Sequence, residues 1–149
     1  MRKAFTLIEA IIVISILLLL AGLSSLSLVN FGKGSTLQSG QGLVLGVLRQ
    51  AQSRSAADIG DKPWGVHFES ARAVLFQDSG SGYNSSDPNN QVKIMPTGVG
   101  ITYNFGGPSD ILFEKGLVTT LNGGTITLTA TTGNTTSQIT VNTEGRIDY

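Results

Sequence analysis

Residues 4–32, AFTLIEAIIVISILLLLAGLSSLSLVNFG, decide the architecture of this 149-residue chain. From Ala10 to Gly32 no side chain is charged, and as an α-helix this run would be ~35 Å long at ~1.5 Å per residue. That length is enough to cross a bilayer. Arg2 and Lys3 precede the apolar run, and basic residues in this position keep the N-terminus in the cytoplasm. The sequence therefore predicts a single-pass membrane helix that places the rest of the chain on the far side.

Glu9 is the one charged side chain between Phe5 and Gly32. A carboxylate within a membrane helix costs ~2.5–3.5 kcal/mol on insertion scales, so it normally has a partner and a function. Glu9 lies about one turn into the segment, beside the interface and the positive end of the helix dipole, where a negative charge is tolerated. A secretory signal or a simple anchor, the alternatives for this segment, would give Glu9 no purpose.

The stretch Ala4-Phe5-Thr6-Leu7-Ile8-Glu9-Ala10 resembles the type IV prepilin signal of pilins, type II secretion pseudopilins and competence pseudopilins. The resemblance implies cleavage between Ala4 and Phe5 by prepilin peptidase, followed by N-methylation of Phe5. It also implies that Glu9 meets the N-terminal ammonium of a neighbouring subunit. Such a pair would set the register of assembly, because a misplaced subunit would leave a charge unpaired in an apolar filament core. The family usually has glycine before the cut, and Ala4 is interpreted as a small-residue variant.

Residues 32–60 are predicted to continue the helix in amphipathic form, with one apolar stripe packed on a sheet. The apolar residues of this stripe fall near helical spacing: Leu37, Val44, Val47, Leu48 and Ala51. The glycines and serines between Gly22 and Gly34 are poor helix formers. They indicate either a hinge or a plain end of the membrane helix. The region of Gly60 and Pro63 is predicted to end the helical segment.

Beyond Pro63, short strand-like runs alternate with turn clusters. We predict about seven strands and a candidate eighth: Trp64 to Glu69, Ala73 to Gln77, Gln91 to Met95, Gly100 to Phe105, Ile111 to Glu114, Thr125 to Ala130, Gln138 to Asn142, and Arg146 to Tyr149. No helix-length crossover separates them, which favours antiparallel pairing. The predicted fold is α+β, with a long N-terminal helix packed on an antiparallel sheet or sandwich, as in pilins.

The predicted organisation has four parts: a prepilin leader at 1–4, a hydrophobic membrane and assembly helix at 5–31, an amphipathic continuation at 32–60, and an exported β-rich domain at 61–149. This order resembles the GspH/FimT minor pseudopilin family. Three local elements carry that resemblance: Leu48 to Gln52, Ile111 to Phe113 with Gly116, and Ile139 to Val141 with Gly145 to Ile147.

The sequence predicts no enzyme, metal site or cofactor. Without cysteine there is no thiolate ligand or thiol nucleophile. His67, the one histidine, is expected on the outward face of its strand with no flanking acid–base arrangement. Asp78 and Asp87 adjoin the polar loop Ser79 to Asn90 and are candidate Ca²⁺ ligands, but the spacing is not that of an EF-hand.

The predicted function is a structural one: a minor pilin or type II secretion pseudopilin that enters a pilus-like filament through its N-terminal helix. By resemblance, its partners are prepilin peptidase, other pilin or pseudopilin subunits, an inner-membrane assembly platform, and the cytoplasmic membrane before assembly. It would then reside in a periplasmic or cell-surface filament. The absence of a C-terminal cysteine pair favours a minor subunit over a major pilin, which remains an alternative.

A filament-tip binding module, for DNA uptake or adhesion, is the other alternative. Basic and acidic side chains number ten each. Arg49, Arg54 and Lys62 are close in sequence, but Asp58 and Asp61 lie among them. Nucleic acid is therefore not an expected partner.

Overall fold

A computed structural model describes residues 6–131 and 135–149, with only the backbone described at 23–34. The chain divides into two compact units, Met1–Gly34 and Ser35–Tyr149. The fold is α+β, as predicted: the described residues form one N-terminal helix and eight strands in two antiparallel sheets.

Helix α1 spans Leu7–Ala56 without a break. The interpretation of the Gly22 to Gly34 stretch as a helix end is therefore wrong. Isolated glycines cost only about 1 kcal/mol each and need not stop a helix that is otherwise rich in Leu, Ile and Ala. A hinge there in an assembled filament stays a prediction.

The C-terminus of α1 is a Schellman motif, which places the end at Ala56 rather than near residue 60. The Asp58 N–H donates to the carbonyl of Ser55, and the Ile59 N–H donates to that of Arg54. Asp58 itself has a φ of 52°, the left-handed conformation that this motif requires of the residue after the helix. Glycine is the usual residue at this position, so a sequence with aspartate there lacks the usual signal for the end of a helix.

Each predicted strand is present, and its ends lie within two residues of the prediction. The strands are β1 Trp64–Glu69, β2 Arg72–Gln77, β3 Gln91–Ile94, β4 Val99–Asn104, β5 Asp110–Leu112, β6 Gly124–Ala130, β7 Thr136–Val141 and β8 Ile147–Asp148. One sheet has the order β3-β2-β1-β5 and the other β4-β6-β7-β8. The chain therefore leaves the first sheet after β3, adds β4 to the second, and returns to the first with β5.

The core of Ser35–Tyr149 is built from the amphipathic part of α1 and from both sheets. All five predicted stripe residues, Leu37 to Ala51, are buried in it. Gly40 belongs to the same helix face, where an added Cβ would lie 3.3 Å from Cγ1 of Val99. The glycine thus allows close packing against the start of β4, whereas Gly42 and Gly46 face open space.

Two polar side chains near the end of α1 fasten it to the strands and loops. The buried Ser55 hydroxyl accepts a hydrogen bond from the Trp64 N–H at 2.7 Å and lies 3.2 Å from the carbonyl oxygen of Phe113. Gln52 Nε2 donates to the carbonyl oxygens of Val118 at 3.0 Å and Gly145 at 2.7 Å. The helix is therefore connected to β1 and to two loops near the far end of the sequence.

The first sheet has two different faces. Val66, Phe68, Leu75 and Ile111 point into the core shared with α1. The opposite face, which we call the outer face, carries His67, Asp110, Val74, Phe76 and Leu112, as the strand register requires. Val74 and Phe76 are nevertheless buried, so this face has apolar packing of its own.

Candidate functional site

The N-terminal unit begins with a capped helix. Thr6 directly precedes α1, and its Oγ1 accepts a hydrogen bond from the Glu9 N–H at 3.4 Å. Threonine followed three residues later by glutamate is the capping-box spacing, which satisfies N–H groups that lack a partner within the helix. The Glu9 side chain is exposed in the first turn, at the positive end of the helix dipole.

Thr6 therefore caps the Glu9 backbone N–H, and the spacing gives the Glu9 side chain the position of the second capping-box residue, while its register role stays a prediction. This capping position was not among the predictions, although the Thr6-x-x-Glu9 spacing is a recognisable signal for it. The two roles differ in what they require of the side chain. A capping box accepts glutamine in place of glutamate, whereas an ion pair needs the charge.

The helix after Glu9 has apolar side chains on all sides. Between Leu7 and Leu20, eleven large apolar side chains are exposed, from 47% at Val13 to 82% at Leu7. Ile11, Ile12, Val13 and Ile14 follow one another directly, and successive residues of a helix point about 100° apart. A helix that is apolar all round is normally covered by lipid or protein. We take this segment, with Glu9, as the candidate assembly site.

Several predicted N-terminal features lie beyond the reach of the structure. Ala4 and Phe5, the predicted cleavage and methylation residues, are outside the described residues, as is the whole leader 1–4. Among the residues that are described, no helix combines the length and hydropathy of a membrane span.

His67 points away from the core on β1, as predicted, but the prediction that it has no acid–base neighbour is wrong. Its Nδ1 contacts the Asp110 carboxylate, and its Nε2 lies 3.9 Å from Oε1 of Glu69. His67 and Asp110 are directly opposite each other where β1 pairs with β5. Sequence periodicity does not reveal strand order, so nothing in the local pattern pointed to this pair.

A tyrosine from the polar loop completes this cluster. The Tyr83 ring stacks on the His67 imidazole, with centroids 3.9 Å apart and planes 12° apart, and meets Phe76 edge-on at 5.5 Å. Both nitrogens of His67 face carboxylates of the chain itself, and Tyr83 covers one face of the ring. This arrangement suits a clamp that holds the loop on the outer face of the first sheet.

Glu69 is also paired with Arg72 across the β1–β2 turn. The Arg72 guanidinium donates two hydrogen bonds of 2.8 Å to the two oxygens of the Glu69 carboxylate. These bonds hold the pKa of Glu69 below its usual value, and they raise that of Arg72. The pair is largely solvated, so its contribution to stability is small.

The candidate calcium ligands are engaged within the loop. Oδ1 of the buried Asp78 accepts hydrogen bonds from the N–H groups of Gly80 at 2.8 Å and Gly82 at 2.9 Å. Oδ1 of Asp87 accepts one from the Asn89 N–H at 2.9 Å. Within the described ranges no group of three or more His, Asp or Glu side chains has a metal-binding arrangement. The Asp78 carboxylate thus fixes the shape of the loop by accepting hydrogen bonds from the loop backbone.

The three basic residues considered for nucleic acid have separate contacts. The Arg49 guanidinium lies 5.9 Å from the Tyr149 ring centroid, and that of Arg54 lies 4.5 Å from the Trp64 ring centroid. Lys62 Nζ donates to Ser79 Oγ at 3.1 Å. These contacts tie side chains to the chain's own rings and loops, and they supply no argument for a phosphate-binding surface.

Comparison with known proteins identifies the N-terminal segment. Residues 1–25 match the family model described as the prokaryotic N-terminal methylation motif, which is the motif of type IV prepilin-like proteins. Neither the curated proteins nor the solved structures gave a match. The motif implies processing by prepilin peptidase, anchoring in the membrane before assembly, and assembly with other pilins.

Proposed function

We propose that this type IV pilin-like, prepilin-type protein is a non-catalytic structural subunit of a pilus-like filament, as a minor pilin or a type II secretion pseudopilin. In this proposal prepilin peptidase cuts between Ala4 and Phe5, and the new amino group of Phe5 is methylated. The apolar helix crosses the cytoplasmic membrane once and then enters the filament. The observation that carries the proposal is the methylation motif at residues 1–25, continued by an apolar surface in which Glu9 is the only charge as far as Leu20.

The apolar surface requires cover by lipid or by protein. Covering a Leu, Ile or Val side chain is worth about 1.5–3 kcal/mol, and the eleven exposed ones are partly accessible. Burial of these side chains against neighbouring helices would therefore be favourable by on the order of 10–20 kcal/mol, relative to their exposure to water. In a membrane the lipid tails already cover this surface, so transfer to a filament exchanges lipid for protein. Packing and polar pairing then decide the final position of each subunit.

Glu9 is the polar group available for that pairing. It lies near the start of the helix, close to the amino group that cleavage after Ala4 would create. Pairing with the ammonium of a neighbouring subunit would compensate both charges inside an apolar assembly, whereas an unpaired buried charge costs about 3–5 kcal/mol. This difference would favour one axial position of a subunit over others.

We also propose the narrower assignment to the GspH/FimT type, which rests on the resemblance of three local sequence elements. The three local elements that resemble that family meet in the structure near the end of α1. Gln52 donates to the Gly145 carbonyl oxygen at 2.7 Å, and the Gly116 N–H donates to the Ser55 carbonyl oxygen at 2.8 Å. Segments separated by many residues thus depend on one another, which gives a physical reason for their occurring together in one chain.

The decisive experiment separates charge from helix capping at Glu9. We would express Glu9→Gln, Thr6→Ala and Ser15→Ala in cells that make the filament, and measure the chain in the sheared filament fraction against total chain. Glu9→Gln keeps the capping-box chemistry but removes the charge, so its incorporation should fall at least tenfold, given the cost of an unpaired partner. Thr6→Ala should have a smaller effect, since it removes only a cap.

Ser15→Ala is the matched control, because the exposed Ser15 hydroxyl donates to the Ile11 carbonyl of the same helix at 2.8 Å and carries no charge. It should assemble like the natural chain. Normal incorporation of Glu9→Gln would refute the register role. Intact mass with and without prepilin peptidase tests processing: a chain that starts at methylated Phe5 only when the peptidase is present supports the proposal, and an uncut chain opposes it.

A further inference from the structure

A cavity of about 250 Å³ opens on the outer face of the first sheet, beside the His67 cluster. Its walls come from β2, β5, the polar loop and the two segments that flank β5. The lining residues are Phe76, Gly82, Pro108, Asp110, Leu112, Leu121 and Asn122. All belong to Ser35–Tyr149 and lie on the side of the sheet away from α1.

The first wall is fixed by close packing. Gly65 on β1 is opposite Phe76 on β2, and a Cβ at Gly65 would lie 2.9 Å from two ring atoms of Phe76. The absence of a side chain at Gly65 therefore lets the Phe76 ring lie across β1. This placement carries the ring into the cavity lining and leaves it only 2% exposed.

The loop wall is held by contacts of the chain itself. Asp78 accepts a hydrogen bond from the Gly82 N–H at 2.9 Å, and the next residue, Tyr83, stacks on His67. His67 is in turn fixed by Asp110, which also lines the cavity. Because these contacts need no ligand, the cavity is formed in advance, as is usual for small-molecule sites.

The polar groups in the lining already have partners. The Asp110 carboxylate contacts His67, while the Asn122 side chain accepts from the Leu112 N–H at 3.4 Å and donates to the Asp110 carbonyl oxygen. The remaining surface is formed by the carbon atoms of Phe76, Pro108, Leu112 and Leu121. A charged ligand would lose its hydration and gain no free partner here, so the lining selects for a neutral apolar molecule.

The volume sets the size of that molecule. An engineered apolar cavity of ~150 Å³ in another protein stays dry and binds benzene. The present cavity is larger and partly open, with Leu121 at 65% exposure in its lining. One or two fused rings would fit beneath Leu121 and exchange with solvent.

We propose that this cavity is a binding site for a small, neutral, apolar molecule about the size of one or two rings. All of its lining residues lie outside the apolar segment Leu7 to Leu20 that we take as the candidate assembly site. The cavity would give the exported part of the subunit a ligand-binding capacity in addition to its structural role.

The test uses the full chain in detergent micelles with methyl-labelled leucine, and indole as the probe. Indole should shift the methyl signals of Leu112 and Leu121 in a saturable manner, and leave that of Leu128, buried in the core, unchanged. Indole-3-acetate, the charged analogue, should bind at least tenfold more weakly. Saturable binding at Leu112 and Leu121 is the expected result. Equal, unsaturable shifts at all three leucines, or equal affinity for the charged analogue, would overturn the proposal.

A matched pair of variants locates the site. Leu121→Trp places a bulky ring over the cavity at an exposed position and should weaken indole binding at least tenfold. Leu117→Trp is the control: Leu117 is 52% exposed in the same segment but does not line the cavity, and binding should stay within twofold of the natural chain. Unchanged affinity in Leu121→Trp would refute the location even if it left indole binding elsewhere intact.

Discussion

Replacing Ser55 by alanine should destabilise the Ser35–Tyr149 unit more than a typical substitution at an exposed position does. The Ser55 hydroxyl is fully buried, accepts from the Trp64 N–H at 2.7 Å and can donate to the Phe113 carbonyl oxygen at 3.2 Å. Alanine would leave the Trp64 N–H buried without this partner, at a cost of about 1–3 kcal/mol, and would lose the donated bond, worth about 1 kcal/mol. The better helix propensity of alanine returns about 0.5 kcal/mol. The expected loss in free energy of unfolding is therefore about 1.5–3.5 kcal/mol.

The fluorescence of Trp64, the one tryptophan of the chain, reports on this contact directly because that residue is next to the change and buried. Thermal unfolding of the full chain in detergent should show a midpoint lower by roughly 10 °C, from the usual relation between stability and midpoint for domains of this size. Ser53→Ala, at an exposed position of the same helix, is the control and should shift the midpoint by no more than about 1 °C. A Ser55→Ala chain as stable as this control would refute the reasoning.

Three further outcomes follow from the same structure. Gly145→Ala should lower the free energy of unfolding in urea by at least about 2 kcal/mol, because Gly145 has a φ of 80° and an added Cβ would lie 1.8 Å from the Val118 carbonyl oxygen. Gly107→Ala is the control: an added Cβ there meets open space, so the change should be nearly neutral. Equal stability of the two variants would contradict this reasoning. Tyr83→Ala should raise amide hydrogen exchange in the polar loop by roughly tenfold, the value of one lost ring stack, and unchanged exchange would argue against the clamp. The pKa of Glu69 is lowered by Arg72, so the pair stabilises the fold above the unfolded-state pKa and this contribution disappears as pH falls through the folded-state pKa. Glu69→Gln should accordingly be slightly less stable than the natural chain at neutral pH, and the difference should disappear once the pH has fallen below the folded-state pKa of Glu69; a difference that stays constant on acidification would exclude this cause.

The elements of the fold were predictable because their signals are local. Alternating residues defined β1 to its exact ends, and helical spacing identified the buried stripe from Leu37 to Ala51. The predicted helix end was a few residues too late because Asp58 takes the left-handed conformation that ends the helix, and glycine, the usual residue in that conformation, is absent there. The continuation of the helix beyond residue 32 was predicted, but the weak helix formers between Gly22 and Gly34 left open whether the membrane helix ends there, and α1 runs through them.

The outer-face features were not predictable from periodicity. The His67–Asp110 pair exists because β5 returns to the edge of the first sheet beside β1, a choice of strand order that no local pattern encodes. The cavity depends in addition on the missing side chain of Gly65 and on the loop that Tyr83 attaches to the sheet. By contrast, the N-terminal site rests on contiguous residues, and the capping spacing at Thr6 and Glu9 could have been found in the sequence.

The return of β5 to the first sheet, after β4 has joined the second, also determines how the chain can fold. Neither sheet is encoded by one continuous piece of sequence, because β4 comes before the last strand of the first sheet and pairs with β6 after it. A product truncated before β5 would lack an edge strand of one sheet and most of the other, so the two sheets cannot mature one after the other. Pairing of β1 with β5 must bring distant residues together early, and such non-local closure slows folding. A chain with this topology should fold as one cooperative event once its last strands are available for pairing.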